Sequence, residues 1–417
     1  MTSLMTNTSA MVALQTLRTI NSNLDQTNNH VSTGLRVTSA ADNAAYWSIA
    51  TTTRSDNGAL GAVKDALGLA KSSVDTVNTG LDTVRTALQK VKEKLITAAS
   101  PDADRSKLQT EIKSLLSELK SNANSTVISG ANWLSVDSSE ANYNATKSVV
   151  ASFSRTGDSV QVDTIDIDTT SFKLLDANAT VHTAVDAAVT TASAGYSTAQ
   201  TTAGTAYTTA KTTATTAYDT AITAADTAFA GSAMDAAAVA ARDAAYATAT
   251  NTRDSAFSTA EAAKKTALDG AVLALNNALD ASGTDSLGIL DKTRVAATSS
   301  GTATVSSIMD IDISGLSASE ADLDKLANFT SIVDAALTDL TDASTTLGSA
   351  SSRIESQTNF VQALQDANDR AIGSLVDANM EEESTKLKAL QTQQQLAVQS
   401  LGIANSSSQS VLSLFRG

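Results

Sequence analysis

Residues 60–95 read LGAVKDALGLAKSSVDTVNTGLDTVRTALQKVKEKL. Leu60, Val63, Leu67, Ala70, Val74, Val77, Leu81, Val84, Leu88, Val91 and Leu95 fall alternately three and four apart without a slip. That spacing is a heptad seam, the pattern of helices that wind around one another left-handedly. Extended over the neighbouring period, about residues 44–99, it predicts a helix roughly 80 Å long at 1.5 Å per residue. Ser100-Pro101-Asp102 ends it, and Leu108, Ile112, Leu115 and Leu119 restart the period in a second helix.

Composition supports long helices. The 417 residues include one proline, Pro101, and 19 glycines, so few positions break a helix. Cysteine is absent, which removes disulfides, thiolate metal sites and cysteine nucleophiles. A net charge of -15 argues against a nucleic-acid groove, which needs a basic stripe. No run approaches the ~20 apolar residues of a membrane span. Residues 1–24 lack the basic leader and continuous apolar core of a cleaved signal peptide.

Both ends of the chain repeat the seam. Ala10, Leu14, Leu17, Asn21, Leu24, Asn28 and Val31 alternate four and three; so do Leu387, Leu390, Gln394, Ala397, Leu401, Ala404, Ser408, Val411 and Phe415. A further helix is expected from Leu323 through Leu326, Thr330, Val333, Leu337, Leu340, Ser344 and Leu347. An isolated helix with such a stripe is marginal in water, so the N-terminal and C-terminal helices are expected to pair.

The middle is different. Residues 149–153, 159–167 and 302–313 alternate polar and apolar, the signature of half-buried strands. Residues 164–168 (TIDID) and 309–313 (MDIDI) echo each other and could pair in one small sheet. Their carboxylates, Asp163, Asp166, Asp168, Asp310 and Asp312, read as a solvated strand face; an ion site is the sharper alternative, without the loop spacing of an EF-hand. Two histidines, His30 and His182, accompany no nucleophile-elbow motif, and no phosphate-binding glycine loop is present. An enzyme reading has no support, and neither cofactor nor metal is expected.

Residues 32–45, STGLRVTSAADNAA, strongly resemble the N-terminal signature of bacterial flagellin, the subunit of the flagellar filament. Residues 352–355 (SRIE) and 411–417 (VLSLFRG) resemble the matching signatures at the other end. The resemblance covers about residues 1–135 and 320–417, and Tyr46-Trp47 gives it a rhizobial character. It implies an exported subunit that polymerises into the extracellular filament for swimming motility, without a cleaved signal peptide. Implied partners are further copies of the chain, paralogous flagellins, an export chaperone and the filament's cap and junction proteins; nucleic acid and membrane are not among them.

The fold expected is mainly α: a long coiled-coil helical rod with paired terminal helices, a small β element and a central helical-hairpin insertion. Residues 1–43 with 386–417 would form the inner coiled-coil domain. Residues 44–180 with 281–385 would form the helical rod domain, and 181–280 a variable outer domain. Assembly is assigned to Leu14, Leu17, Leu24, Val31, Arg36, Asp42, Asn43, Arg353, Glu355, Leu387, Leu390, Leu401, Val411 and Phe415. Arg36, Asp42 and Asn43 match the family's turn between inner and rod helices, and Asp42 is a candidate cap for the following helix. Local capping without contact between subunits is the plainer reading. The family's innate-receptor motif reads Gln-Arg-Val-Arg-Glu-Leu; here Gln89, Lys90, Val91, Lys92, Glu93 and Lys94 stand in its place.

Residues outside the resemblance carry their own repeat. Val185, Tyr196, Tyr207, Tyr218 and Phe229 step by eleven, as do Tyr246, Phe257, Leu268 and Leu279. Eleven residues in three turns give a nearly straight stripe. Two such stripes predict an antiparallel hairpin of roughly 45 residues per arm, about 65–70 Å long, turning near 231–233. Gly231 would end one arm and Ser232 cap the next, with Tyr218 facing Tyr246 and Tyr207 facing Phe257. A disordered or β-rich segment is the alternative for this Thr-rich stretch. A second functional class, a helical protectant or ice-binding protein, rests on threonines such as Thr198, Thr209 and Thr220 forming a flat face.

Overall fold

A computed structural model describes residues 6–128, 130–156 and 159–414, with side chains as far as residue 406. The order is α1 (Thr8–Thr33), α2 (Ala44–Ala98), α3 (Arg105–Ser125), β1 (Val127–Ile128), β2 (Ala131–Asn132), β3 (Ser135–Val136), β4 (Thr146–Thr156), β5 (Ser159–Asp168) and β6 (Leu175–Asp176). Then come α4 (Ala179–Ala230), α5 (Ala236–Ala281), β7 (Arg294–Ala297), β8 (Ala303–Ser306), α6 (Glu320–Val376) and α7 (Met380–Leu414). The chain is mainly α-helical. It divides into two compact units: residues 1–69, 150–165 and 354–417, and residues 70–149 with 166–353.

The α2 seam is buried at every one of its eleven positions from Leu60 to Leu95. On the same helix, Leu69 and Ile96 stay exposed because the three-four period turns them away from the buried stripe. In the second unit Lys92 pairs with Asp334 at 2.6 Å and Lys94 with Glu111 at 2.5 Å. On α3, Leu116 is buried more deeply than Leu115.

The strands are arranged differently from the sequence expectation. β4 pairs with β5, and β7 pairs antiparallel with β8 through Arg294↔Ser306 and Ala297↔Ala303. Residues 309–313 form no strand, so they do not pair with residues 164–168. Ile311 and Ile313 are nonetheless buried, and their backbone is satisfied by one side chain. Gln109 Nε2 donates to the Ile311 carbonyl and its Oε1 accepts from the Ile313 amide, both at 3.0 Å. An amide side chain thereby does for this segment what a strand neighbour would. Gly288 fits only as glycine: a Cβ there would lie 2.3 Å from the Leu174 backbone.

α4 and α5 run antiparallel against each other. Gly231 ends α4 in a right-handed conformation, and Asp235, not Ser232, caps α5 by accepting from the Ala238 amide at 2.9 Å. Ser232 instead donates its hydroxyl back to the Phe229 carbonyl, which takes it out of capping. At the base, Val185, Leu279 and Leu287 form a buried cluster with Val181, Val189, Val295 and Val305 against it. The Tyr196 hydroxyl donates to the Gly301 carbonyl and accepts from the Ala303 amide, tying α4 to the β7–β8 loop.

Candidate assembly surfaces

The first unit brings the two chain ends together. α7 presents Leu387, Leu390, Gln394, Ala397, Leu401 and Ala404 on its half-buried face, the seam expected from sequence. α1 takes the other alternation. Ala10, Leu17, Leu24 and Val31 are on the covered side, joined by Ala13, Ile20 and Thr27 rather than Leu14 and Asn28. Leu14 and Asn28 are exposed, whereas Asn21 is half-buried like Ile20, as an amide can be where it finds a partner. Asn21 is half-buried in the seam and accepts from Gln394 Nε2 at 2.7 Å. Asn7 donates to the Ala404 carbonyl at 2.9 Å, and His30 Nδ1 lies 3.2 Å from Glu383 Oε1.

Pairing leaves other apolar side chains uncovered. Met11, Val12 and Leu14 on α1 are exposed, and Leu396, Val398 and Ile403 on α7 are 55–65% exposed. Met11, Leu14, Val398 and Leu401 line one shallow groove. Phe415, and the side chain of Val411, lie outside the described residues.

The connection from α1 to α2 is pinned to the connection from α6 to α7. Gly34 closes α1 with φ +72, a left-handed conformation that suits glycine. The Arg36 amide donates to the Val376 carbonyl at 2.6 Å, its guanidinium donates to the Leu375 carbonyl at 2.9 Å, and it lies 6.0 Å from the centroid of the Tyr46 ring. Ala378 N–H returns a bond to the Gly34 carbonyl at 2.8 Å. Beneath these bonds Val37, Ala50, Ile372 and Val376 form a small buried cluster.

Asp42 and Asn43 divide the work differently from expectation. Asn43 caps α2, its Oδ1 accepting from the Ala45 and Tyr46 amides at 3.1 Å. Asp42 stands one residue too early for that role and turns back. Its Oδ2 accepts from the amide and hydroxyl of both Thr38 and Ser39 at 2.8–3.2 Å. The Thr38 hydroxyl bond, with the two amide bonds, lowers the Asp42 carboxyl to about 2. Arg353 and Glu355 are exposed on either side of fully buried Ile354. In the receptor-motif stretch Gln89, Lys90 and Glu93 are exposed, Val91 is buried, and Lys92 and Lys94 are held in the ion pairs above.

The hairpin offers no support for ice binding. Thr198 and Thr220 donate their hydroxyls to carbonyls four residues back in α4, as do Thr202, Thr205, Thr212 and Thr216. A hydroxyl committed to its own helix is not a free donor for a lattice of water. Among the described residues there is no cluster of His, Asp or Glu able to hold a metal ion, and no helix long and apolar enough to cross a membrane.

The sequence matches known proteins over its whole length. The bacterial flagellin N-terminal helical region matches residues 4–138, and the bacterial flagellin C-terminal helical region matches residues 330–415. Flagellin A of Rhizobium meliloti is 42% identical over 420 residues, and flagellin C of Rhizobium meliloti (strain 1021) 38% identical over 423. A flagellin of Brucella melitensis is 32% identical over 418 residues. Each alignment covers all of both chains.

Proposed function

The chain belongs to the bacterial flagellin family, of rhizobial type, and is a structural subunit of the extracellular flagellar filament; from that premise we propose how its residues divide the work of assembly. It polymerises with itself and with paralogous flagellins, and it is no enzyme. The observation that carries the reading is that α1 and α7 pair and still leave apolar side chains uncovered. Leu17, Leu24, Val31, Leu387, Leu390 and Leu401 hold the pair within one subunit. Leu14, with Met11, Val12, Leu396 and Ile403, is the surface that neighbouring subunits cover. Each large apolar side chain so buried contributes about 1.5–3 kcal/mol, repeated at every subunit.

The finer domain reading follows. Residues 1–43 with 386–417 form the filament's inner layer, 44–180 with 281–385 the next, and 181–280 an outward hairpin that stiffens the filament by meeting its neighbours. Arg36, Asp42 and Asn43 fix the turn between the first two layers, and Arg353 and Glu355 are exposed for contacts between subunits. By their spacing in the sequence, Val411 and Phe415 continue the C-terminal stripe. An export chaperone covers that stripe before assembly, and cap and junction proteins meet it at the filament ends.

Removal of residues 401–417 tests the assignment. The expected product keeps its helical circular dichroism and sediments as monomer. Normal filaments from the truncated chain would overturn the inner-layer reading.

A further inference from the structure

The heptad seams of this chain are nearly interchangeable. α1, α2, α6 and α7 all carry small or branched apolar residues at alternating three and four spacing, so apolar packing alone does not choose a partner or a register. The α1–α7 pair is also thinly packed: among the described residues, only Thr27 and His30 of α1 are buried, and Leu390 is the one buried apolar residue of α7. Into this seam the chain places polar contacts, Asn21 with Gln394 and His30 with Glu383.

The His30–Glu383 contact is poorly suited to stabilising the pair. Both side chains are almost wholly out of solvent, at 9% and 12% exposure, and Glu383 Oε2 is buried with no hydrogen-bond partner. Desolvating two ionisable groups and orphaning an oxygen offsets much of what the pair gains, so its value lies elsewhere. Buried polar groups in helical pairs are best attested as devices that fix register and partner.

We infer that Asn21–Gln394 and His30–Glu383 select the register and the partner of the terminal helices, holding α1 against α7 of the same subunit. Sliding α7 by one heptad puts Asn21 opposite Leu387 or Leu401, depending on direction. It also puts His30 opposite Leu390 or beyond the start of α7. Each slip leaves polar groups facing leucine with nothing to bond. Exchange with a second copy fares no better. α1 carries one acid, Asp25, so two α1 helices cannot offer His30 its carboxylate in the same register. Two α7 helices paired antiparallel through Gln394 place Glu383 against Asn405. The inference rests on α1 and α7 being an assembling pair, the reading tested by the 401–417 truncation. It concerns only which helix pairs with which, and in what register.

The absence of cysteine allows a direct test. Leu17→Cys with Ala397→Cys reports the native register, and Leu24→Cys with Ala397→Cys reports a one-heptad slip. Each pair is introduced into the full chain, oxidised, and read on a non-reducing gel from whatever sediments, filament or amorphous. In the otherwise native chain the first pair should close within one subunit and the slipped pair should stay open. Asn21→Leu with Gln394→Leu should lose that exclusivity, with the slipped pair closing and covalent dimers appearing. Exchange of the charged partners, His30→Glu with Glu383→His, should restore the within-subunit link that His30→Leu loses. Continued exclusive closure of the native pair in the double-leucine variant would overturn the inference, even if that variant still forms filaments. Filaments from the truncated chain would instead strike the underlying assignment and leave the cross-linking pattern as it is.

Discussion

The Arg253 guanidinium lies 4.6 Å from the centroid of the Tyr218 ring, across the two arms of the α4–α5 hairpin. Eleven residues further out Arg242 lies 4.6 Å from Phe229, and eleven further in Lys264 lies 5.4 Å from Tyr207. Lys211 sits between Tyr207 and Phe257, at 5.4 and 4.9 Å. The eleven-residue step therefore repeats as cation-over-ring rungs that lock one arm to the other. Arg253→Glu, which reverses the charge over the ring, should open the middle of the hairpin to limited proteolysis while sedimenting filaments still form. Unchanged cleavage would show that the rungs do not hold the arms.

At the hairpin base the packing term dominates. Leu279 is 2% exposed in the cluster with Val185 and Leu287. Leu279→Ala should cost about 2–5 kcal/mol, measured as urea unfolding of the monomer followed by circular dichroism. Leu273→Ala, at a position 61% exposed, should stay within about 0.5 kcal/mol of the parent. Equal effects at the two positions would contradict the assigned core.

Asp42 links the α1–α2 turn to acidity. Its folded carboxyl is lowered from 3.8 to about 2 by bonds from Thr38 and Ser39. A depressed carboxyl contributes stability above its unfolded value, and that contribution fades as pH falls from about 4 through 2. Carboxyl carbon chemical shifts of Asp42 should therefore titrate near pH 2, and Asp42→Asn should remove the acid-sensitive step in that turn. A midpoint near 3.8 would contradict the bonding scheme.

The receptor-motif stretch departs from the family in chemistry as well as letters. Lys92 and Lys94 replace a bidentate arginine and a leucine, and both are engaged by Asp334 and Glu111. Purified monomer should activate the animal flagellin receptor weakly or not at all in a reporter assay. Activation equal to that of an enterobacterial flagellin would refute this.

Much of the fold is legible in the residues. The α2 seam reads directly because eleven apolar positions keep one period, and burial follows period wherever nothing competes. On α1 the structure turns Leu14 and Asn28 outward and Ala13, Ile20 and Thr27 inward, with Asn21 half-buried among them. Hydrophobicity at single positions does not settle that; the partner helix does. Asp42 and Asn43 are adjacent, and both residue types cap helices, so composition does not distinguish them. Residues 309–313 alternate like a strand, yet their partner is the Gln109 side chain, a long-range contact with no local signature. The same holds for the Arg36 bond to the Leu375 carbonyl, which joins residues 339 positions apart.

A filament reconstruction by electron microscopy at side-chain resolution tests the assembly surface most directly. Met11, Leu14, Leu396 and Ile403 should be covered by α1 or α7 of neighbouring subunits, while Leu17, Leu24, Leu390 and Leu401 remain within their own pair. Leu396 and Ile403 facing solvent in the assembled filament would contradict this.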